Sequence, residues 1–527
     1  MKSNIAQQVK YFYRYLSDVL KIYNDNITKL ELNVSTNEND ENDEKKKSFL
    51  ETFLLRLYLE FGIKRKLLAD DKLVMLFYDK TSPKYDADNY IVQLCRHLIL
   101  DTSNFRIVSM GIPKSVDYND FKSKNNISEC QIYEHIDGTM LIYSPELNDF
   151  NTNSIVNINQ SDIESNDSNS QSDNVNEVEN DINKYSFTTR KVMGTSYFNS
   201  TSKTFYDMFV DNNNLHGTDL NKLPDEFKRN YSLVFNIQHK ENRVVTPNVN
   251  RNVLCRVFKF KNQDTVNHQW DNLIKSLGTE SFDEIFEDYY TNMVTEESLE
   301  LFRELSDEYS LNLNIVDTYY KTSYEIVEET GEKIAKYEMF ESFEDIQHYV
   351  DNMTDEFFQG LIIYNSIGQR TKIYNPKYLL LLELKGHSSI RPEQNNIKNL
   401  FCDLYWRLRQ KHDQSLKKFC DYFELENKFY NYIFNWFTQC VHNFTIMLHT
   451  TYMNAFVYKN MHKIDIPYEL KPLCGELHSD YIKNRIPINI NRVITMVNTM
   501  PAKKIYWRIF ENNQQQNENN QQQNDTN

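Results

Sequence analysis

The chain has 527 residues, a formal net charge of −16, 40% apolar and 25% charged residues. That is enough material for two or three cored domains, and the charge argues against indiscriminate coating of nucleic acid. Apolar runs such as Leu73–Tyr78 and Tyr378–Leu382 are far too short to cross a bilayer, so no membrane partner is expected.

At the amino terminus, Val9, Phe12, Leu16, Val19, Leu20 and Tyr23 recur at helical spacing and predict an amphipathic helix over residues 5–30. No uninterrupted apolar segment resembles a signal peptide. Residues 35–47 read as a solvated loop, and Phe49 to Leu68 as a second helix. From residue 73 the pattern shifts to short β-rich runs: 73–78, 98–100, 105–109, 131–134 and 140–143. Residues 148–183 are Asn-, Ser- and Asp-rich without apolar periodicity and read as a disordered insertion. Within it, residues 150–183 hold seven acidic side chains and no basic one, which leaves room for a basic groove elsewhere.

Strand-like runs resume at 185–190, 232–238 and 252–261, a helix is expected over 282–306, and strands over 313–319 and 360–364. From 395 the pattern is helical, with Leu400, Leu404 and Leu408, then Phe429, Ile433 and Phe437, and a last helix near 489–499. Aromatic positions there, Trp406 and Trp436 among them, read as core before stacking platforms for RNA. The seven cysteines are scattered without a C-x-x-C pair, which points to a reducing, cytoplasmic compartment. The expected organisation is a helical element at 1–72, a central domain at 73–392 carrying the 148–183 insertion, a helical domain at 393–510, and a disordered Gln/Asn tail at 511–527.

Several short motifs follow one another in the central domain. They are Cys95-Arg96-His97 with Pro113-Lys114, then Tyr133-Glu134-His135-Ile136-Asp137-Gly138-Thr139, then Phe187-Thr188-Thr189-Arg190. Val234-Phe235-Asn236-Ile237-Gln238 with Glu241-Asn242-Arg243-Val244-Val245 comes next, followed by Gln359-Gly360-Leu361-Ile362-Ile363 and Lys372-Ile373-Tyr374-Asn375-Pro376-Lys377-Tyr378. In order and spacing the series resembles the phage RNA ligase 1 family of ATP-dependent tRNA-repair ligases, over roughly residues 90–390.

The resemblance implies an α+β fold: a nucleotidyltransferase core of antiparallel sheets with helices, followed by an all-helical C-terminal domain. It implies nucleotide or phosphate contacts at Arg96, Lys114, Arg190, Asn236, Arg243, Gln359 and Lys372, and catalytic positions at His135 and Asp137. In the family a lysine stands where this chain has His135, and its amine attacks the α-phosphate of ATP. Asn236 and Gln359 stand where the family has glutamates, and Tyr374 where it has a second lysine. Neutral amides bind Mg²⁺ poorly, and loss of a cation weakens stabilisation of the transferring phosphate.

The expectation is therefore an RNA-ligase-like protein with a degenerate adenylation site, catalytically inactive, acting in RNA, nucleotide or protein binding. The alternatives are an active ligase using His135 or a displaced lysine (Lys203, Lys259 or Lys261), and a structural or virion-associated scaffold. ATP and Mg²⁺ enter only if the site is active. The expected partners are a tRNA-like RNA or other viral proteins, since the Asn-rich composition suits an AT-rich genome such as that of a large DNA virus, with host cytoplasm or virion as the location. Arg243, Arg251, Arg256, Lys259 and Lys261 read as a basic strand face for RNA phosphates, with a plain solvated face as the alternative.

Overall fold

The computed structural model describes residues 4–30, 38–150, 182–193, 203–242, 245–246, 249–276, 281, 284–286, 289, 293–326, 333–366, 368–385, 397–410, 415–423 and 428–511. Most of the 148–183 insertion, and the tail after 511, lie outside them. The fold is mixed α+β with antiparallel sheets and a helical C-terminal region, and divides into two units, Met1–Leu379 and Leu380–Asn527.

In the first unit, helix α1 (Asn4–Leu30) buries Val9, Phe12, Leu16 and Val19, a stripe set by steps of three and four. Helix α2 (Glu38–Phe61) lays Phe49, Phe53 and Leu57 into the same core. The loop expected over 35–47 is corrected from Glu38 onward, because a run rich in glutamate and lysine favours a helix even without an apolar face. The second helix also stops short of Leu68: the chain turns left-handed at Gly62, whose N–H bonds the Tyr58 carbonyl at 2.9 Å. Strand β1 (Ile63–Leu68) follows and pairs with β2 (Leu73–Tyr78), which continues through β3 (Leu98–Asp101) to β4 (Ile107–Met110) in a four-stranded antiparallel sheet.

Strand β5 (Gln131–Glu134) and strand β6 (Thr139–Tyr143) are consecutive but belong to different sheets. β6 lies between β7 (Phe187–Thr188) and β8 (Tyr231–Gln238), and β8 pairs with β9 (Arg251–Phe260). β9 takes β10 (Val294–Glu296) antiparallel and β11 (Asn314–Ile315) parallel along its far edge. A hairpin of β12 (Lys321–Ile326) and β13 (Lys333–Glu338) stands apart, and β14 (Gly360–Tyr364) sits between β5 and β15 (Arg370–Tyr374) in a three-stranded sheet.

Strand alternation sorts the cores. Val234 of β8 joins α1, α2 and the first sheet, while Leu233, Phe235 and Ile237 face the helices Phe205–His216 and Leu299–Glu308. The outer face of the three-stranded sheet, Ile132, Leu361, Ile363 and Ile373, packs on the helices Tyr118–Lys124 and Phe343–Asp351. Its inner residues Tyr133, Ile362 and Tyr364 turn toward the six-stranded sheet. The helix expected over 282–306 is interrupted by β10, and Ser298 caps a separate helix by accepting from the Glu300 N–H. The strand expected over 313–319 reduces to Asn314–Ile315.

The second unit is helical, with segments at Ile397–Gln410, Ser415–Phe423, Lys428–Tyr452, Lys471–Asn484, Ile490–Thr499 and Ala502–Tyr506. Trp406 is buried, its indole N–H donating to the Met500 carbonyl at 2.6 Å, and Tyr405 stacks on Phe437. Trp436, by contrast, is 43% exposed. Among the described residues no helix is long and apolar enough to cross a membrane.

Candidate functional site

Four residues, His135 to Gly138, carry the chain from the three-stranded sheet to the six-stranded one. The His135 N–H prolongs the β5–β14 ladder by donating to the Gly360 carbonyl at 2.9 Å, and Thr139 then pairs with Ile237. The crossing needs two glycines. Gly138 has φ +142° and Gly360 φ +136°, and a Cβ would come within 2.3 Å of the Ile237 carbonyl oxygen at the first and 2.0 Å of the Ile373 carbonyl oxygen at the second. Gly360→Ala is therefore expected to cost at least about 2 kcal/mol of stability, read as a lower denaturant midpoint. An unchanged midpoint would show that the strands can move apart at no cost.

Around this crossing lies a cavity of about 200 Å³. Arg96, His135, Asn236, Gln359, Lys372 and Tyr374 all line it. Arg370 and Cys255, which lie outside the motif series, line it too, as does Glu134, which the series contains without a role of its own. Arg370, Lys372 and Tyr374 alternate along β15, so period two points them the same way.

Lys372 Nζ and His135 Nε2 share a hydrogen bond of 2.8 Å, and the Tyr374 ring packs edge-to-face with the imidazole at 5.1 Å between centroids. The other imidazole nitrogen is buried and has no hydrogen-bond partner among the described residues. The same is true of the Gln359 side-chain oxygen and of one terminal guanidinium nitrogen of Arg370. Arg370 spends its Nε on the Pro113 carbonyl at 3.1 Å, and Arg96 reaches the Ile112 carbonyl at 3.3 Å.

Cations crowd the cavity. Burial, then Arg370 and Arg96, push the Lys372 amine down to about 6. Burial, then Lys372 and the two arginines, hold His135 well below the ordinary imidazole range. Burial and Arg370 lower even Arg96, to about 10. Burial raises the Glu134 carboxyl, the Cys255 thiol to about 11, and the Tyr374 phenol. Glu134 is the one carboxylate among the described lining residues.

Other expected site residues lie elsewhere. Asp137 does not line the cavity: one carboxylate oxygen accepts from the Val245 and Thr246 N–H groups, both at 2.9 Å, and the other from the Tyr378 hydroxyl. It anchors the crossing. Lys114 donates to the Ser115 carbonyl and faces a separate small cavity. Arg190 stacks 4.1 Å from the Tyr78 ring centroid and donates to the Tyr78 carbonyl. Arg243 lies outside the described residues.

The displaced-lysine candidates are engaged away from the cavity, Lys203 with Asp211, Lys259 beside Glu297 and Lys261 with Gln269. The basic strand face is corrected at Arg256. That residue is buried, ion-paired with Glu296 at 3.0 Å and stacked 3.5 Å from the Tyr364 ring centroid, so it does not meet solvent phosphates. No protein-family model matches the chain, and a search of curated proteins finds no match either.

Proposed function

We propose that this chain is a nucleotide-binding protein built on a nucleotidyltransferase core of the RNA-ligase kind, in which His135 is not the attacking group. One observation carries the reading: the Arg96 and Arg370 guanidiniums converge on a cavity whose one described carboxylate is pushed toward its neutral form, and crowd it enough to hold the Lys372 amine near 6. Glu296 reaches Arg370 only from outside the cavity lining; crowded like charges are costly to bury, and their ready complement is a polyanion. The unpartnered atoms of Gln359, Arg370 and His135 support the same view, since buried polar groups are normally satisfied.

A nucleotide suits the site better than an RNA backbone. The ligand-facing cations sit in a concave cavity of about 200 Å³, while the basic residues of β9 are engaged: Arg251 with Gln238, Arg256 with Glu296 and Lys259 beside Glu297. The crossing of His135–Gly138 between two antiparallel sheets supports the core assignment. His135 is a poor nucleophile because its Nε2 is occupied by Lys372 and its ring is held by Tyr374. Asn236 and Gln359 line the cavity as amides, which leaves Mg²⁺ without their carboxylates.

Calorimetric titration with ATP, GTP and inorganic triphosphate tests the proposal. All three are expected to bind, and Arg370→Gln to weaken binding roughly 10- to 100-fold, the range for a hydrogen bond to a charged group. If none of the three binds the folded protein, or Arg370→Gln binds as well as wild type, the proposal fails.

A further inference from the structure

The longest described helix of the second unit, Lys428–Tyr452, carries two stripes on opposite sides. Phe434, Phe437, Val441, Phe444 and Leu448 are buried and seat it within the unit. On the other side Tyr432, Trp436, Gln439, Asn443, Ile446 and Thr450 are exposed, Tyr432 to 71%, Trp436 to 43% and Ile446 to 45%. They recur at alternating steps of four and three. On a helix of 3.6 residues per turn that spacing keeps them within a strip about 80° wide, and it is the spacing by which one helix seats against another. The strip is also uncharged: no Asp, Glu, Lys or Arg occurs between Lys428 and Lys459, in a chain that is 25% charged. A helix face that meets only water ordinarily carries charged side chains. At its middle Gln439 Nε2 donates to Asn443 Oδ1 at 3.0 Å, so an amide pair stands between an aromatic end and an aliphatic one.

We infer that this strip is a homodimer contact, and that its occupant is the same helix of a second copy of the chain, running antiparallel to the first. A two-fold contact sets a patch against itself, so the patch must be self-complementary. The uncharged strip brings no like charge against like, which any charged face of the chain would do. Amides both donate and accept, so Gln439 and Asn443 can bond the partner's pair. A foreign partner, by contrast, finds no charge here to steer or select it. Antiparallel seating about a centre between Gln439 and Asn443 lays Tyr432 and Trp436 on the aliphatic end of the partner's strip, and it opposes the two helix dipoles. The 25 residues span about 37 Å, and a helix 10–12 Å across then offers a face on the order of 400 Å² per copy. Stable complexes bury roughly 800 Å² per partner, so this dimer is a weak one, with dissociation in the micromolar range.

Sedimentation velocity of the full-length protein, from about 1 to 100 μM, tests the inference. The expected result is a reversible equilibrium between monomer and dimer. Ile446→Glu places an unpaired carboxylate in the contact and is expected to weaken association by roughly 100-fold or more, leaving monomer throughout the range. The side chain is exposed in the single chain, so the far-UV circular dichroism of this variant should match wild type. Gln439→Glu combined with Asn443→Lys sets opposite charges against each other across the contact only when the helices are antiparallel, and it is expected to keep the dimer. Leu59→Glu, on the exposed apolar side of α2 in the first unit, is the control for general stickiness and is expected to change nothing. A wild-type chain that stays monomeric over the whole range overturns the inference. So does a dimer that survives Ile446→Glu, or one that is lost in Leu59→Glu. Dissociation of the Gln439→Glu, Asn443→Lys chain overturns the antiparallel seating.

Discussion

Glu146→Ala is expected to lower the unfolding free energy of the N-terminal unit by about 3–5 kcal/mol. Glu146 and Arg106 form a two-pronged ion pair, Nη1 to Oε2 at 3.1 Å and Nη2 to Oε1 at 2.5 Å, with side-chain exposures of 1% for arginine and 8% for glutamate. Truncating the acid leaves a guanidinium buried beside the first sheet with no counter-charge. Removing both charges is a different experiment. An Arg106→Met and Glu146→Leu pair replaces the ions with apolar volume and should recover most of the loss, because the desolvation penalty goes with the charges. The exposed pair Lys122–Glu344 serves as the contrast: Glu344→Ala should leave the denaturant midpoint unchanged. Equal effects of Glu146→Ala and Glu344→Ala would sink this account of the buried pair.

Lys372→Met is expected to stabilise the protein, on the order of 5 kcal/mol at pH 7, although it removes a group from the candidate site. The folded protein holds the amine near 6 against its ordinary 10.5. Between those values the unfolded chain takes up a proton that the folded one refuses, so wild-type stability falls as pH drops from 10.5 toward 6 and levels off below. Burial is the largest cause, followed by Arg370 on its own strand and Arg96, with Cys255 opposing them. Methionine abolishes this dependence. The stability difference between variant and wild type should therefore be largest at pH 6 and vanish near pH 10.5. A difference that does not change with pH would show that Lys372 is charged in the folded state.

Reading motifs in order located the cavity well. Arg96, His135, Asn236, Gln359, Lys372 and Tyr374 come from distant segments and meet on one surface. What the motifs did not reveal is which cations are spent elsewhere. Lys114 and Arg190 carry the same signal as Arg96, yet local carbonyls and the Tyr78 ring claim them, and such pairing depends on three-dimensional neighbours. Arg370 was within reach: had residues 370–374 been read as a strand, period two would have placed it beside Lys372.

The fold was legible where apolar periodicity was strong, as in α1, β2, β8 and the C-terminal helices. It was least legible where charge stood in for it. Glu38–Lys47 has no apolar stripe to announce a helix, and Val294–Glu296 is too short a strand to compete with the helical pattern around it.

The crossing at His135–Gly138 has a mechanical side. It is a tether of four residues between two sheets, anchored at one end by the Gly360 carbonyl and at the other by Asp137. Pulling the sheets apart loads this tether first, and the cavity opens along the same line. A polyanion gripped by Arg370 from one sheet, and seated against Asn236 from the other, would act as a second strut in parallel with the backbone. The occupied protein should then resist shear between the sheets at forces where the empty one yields.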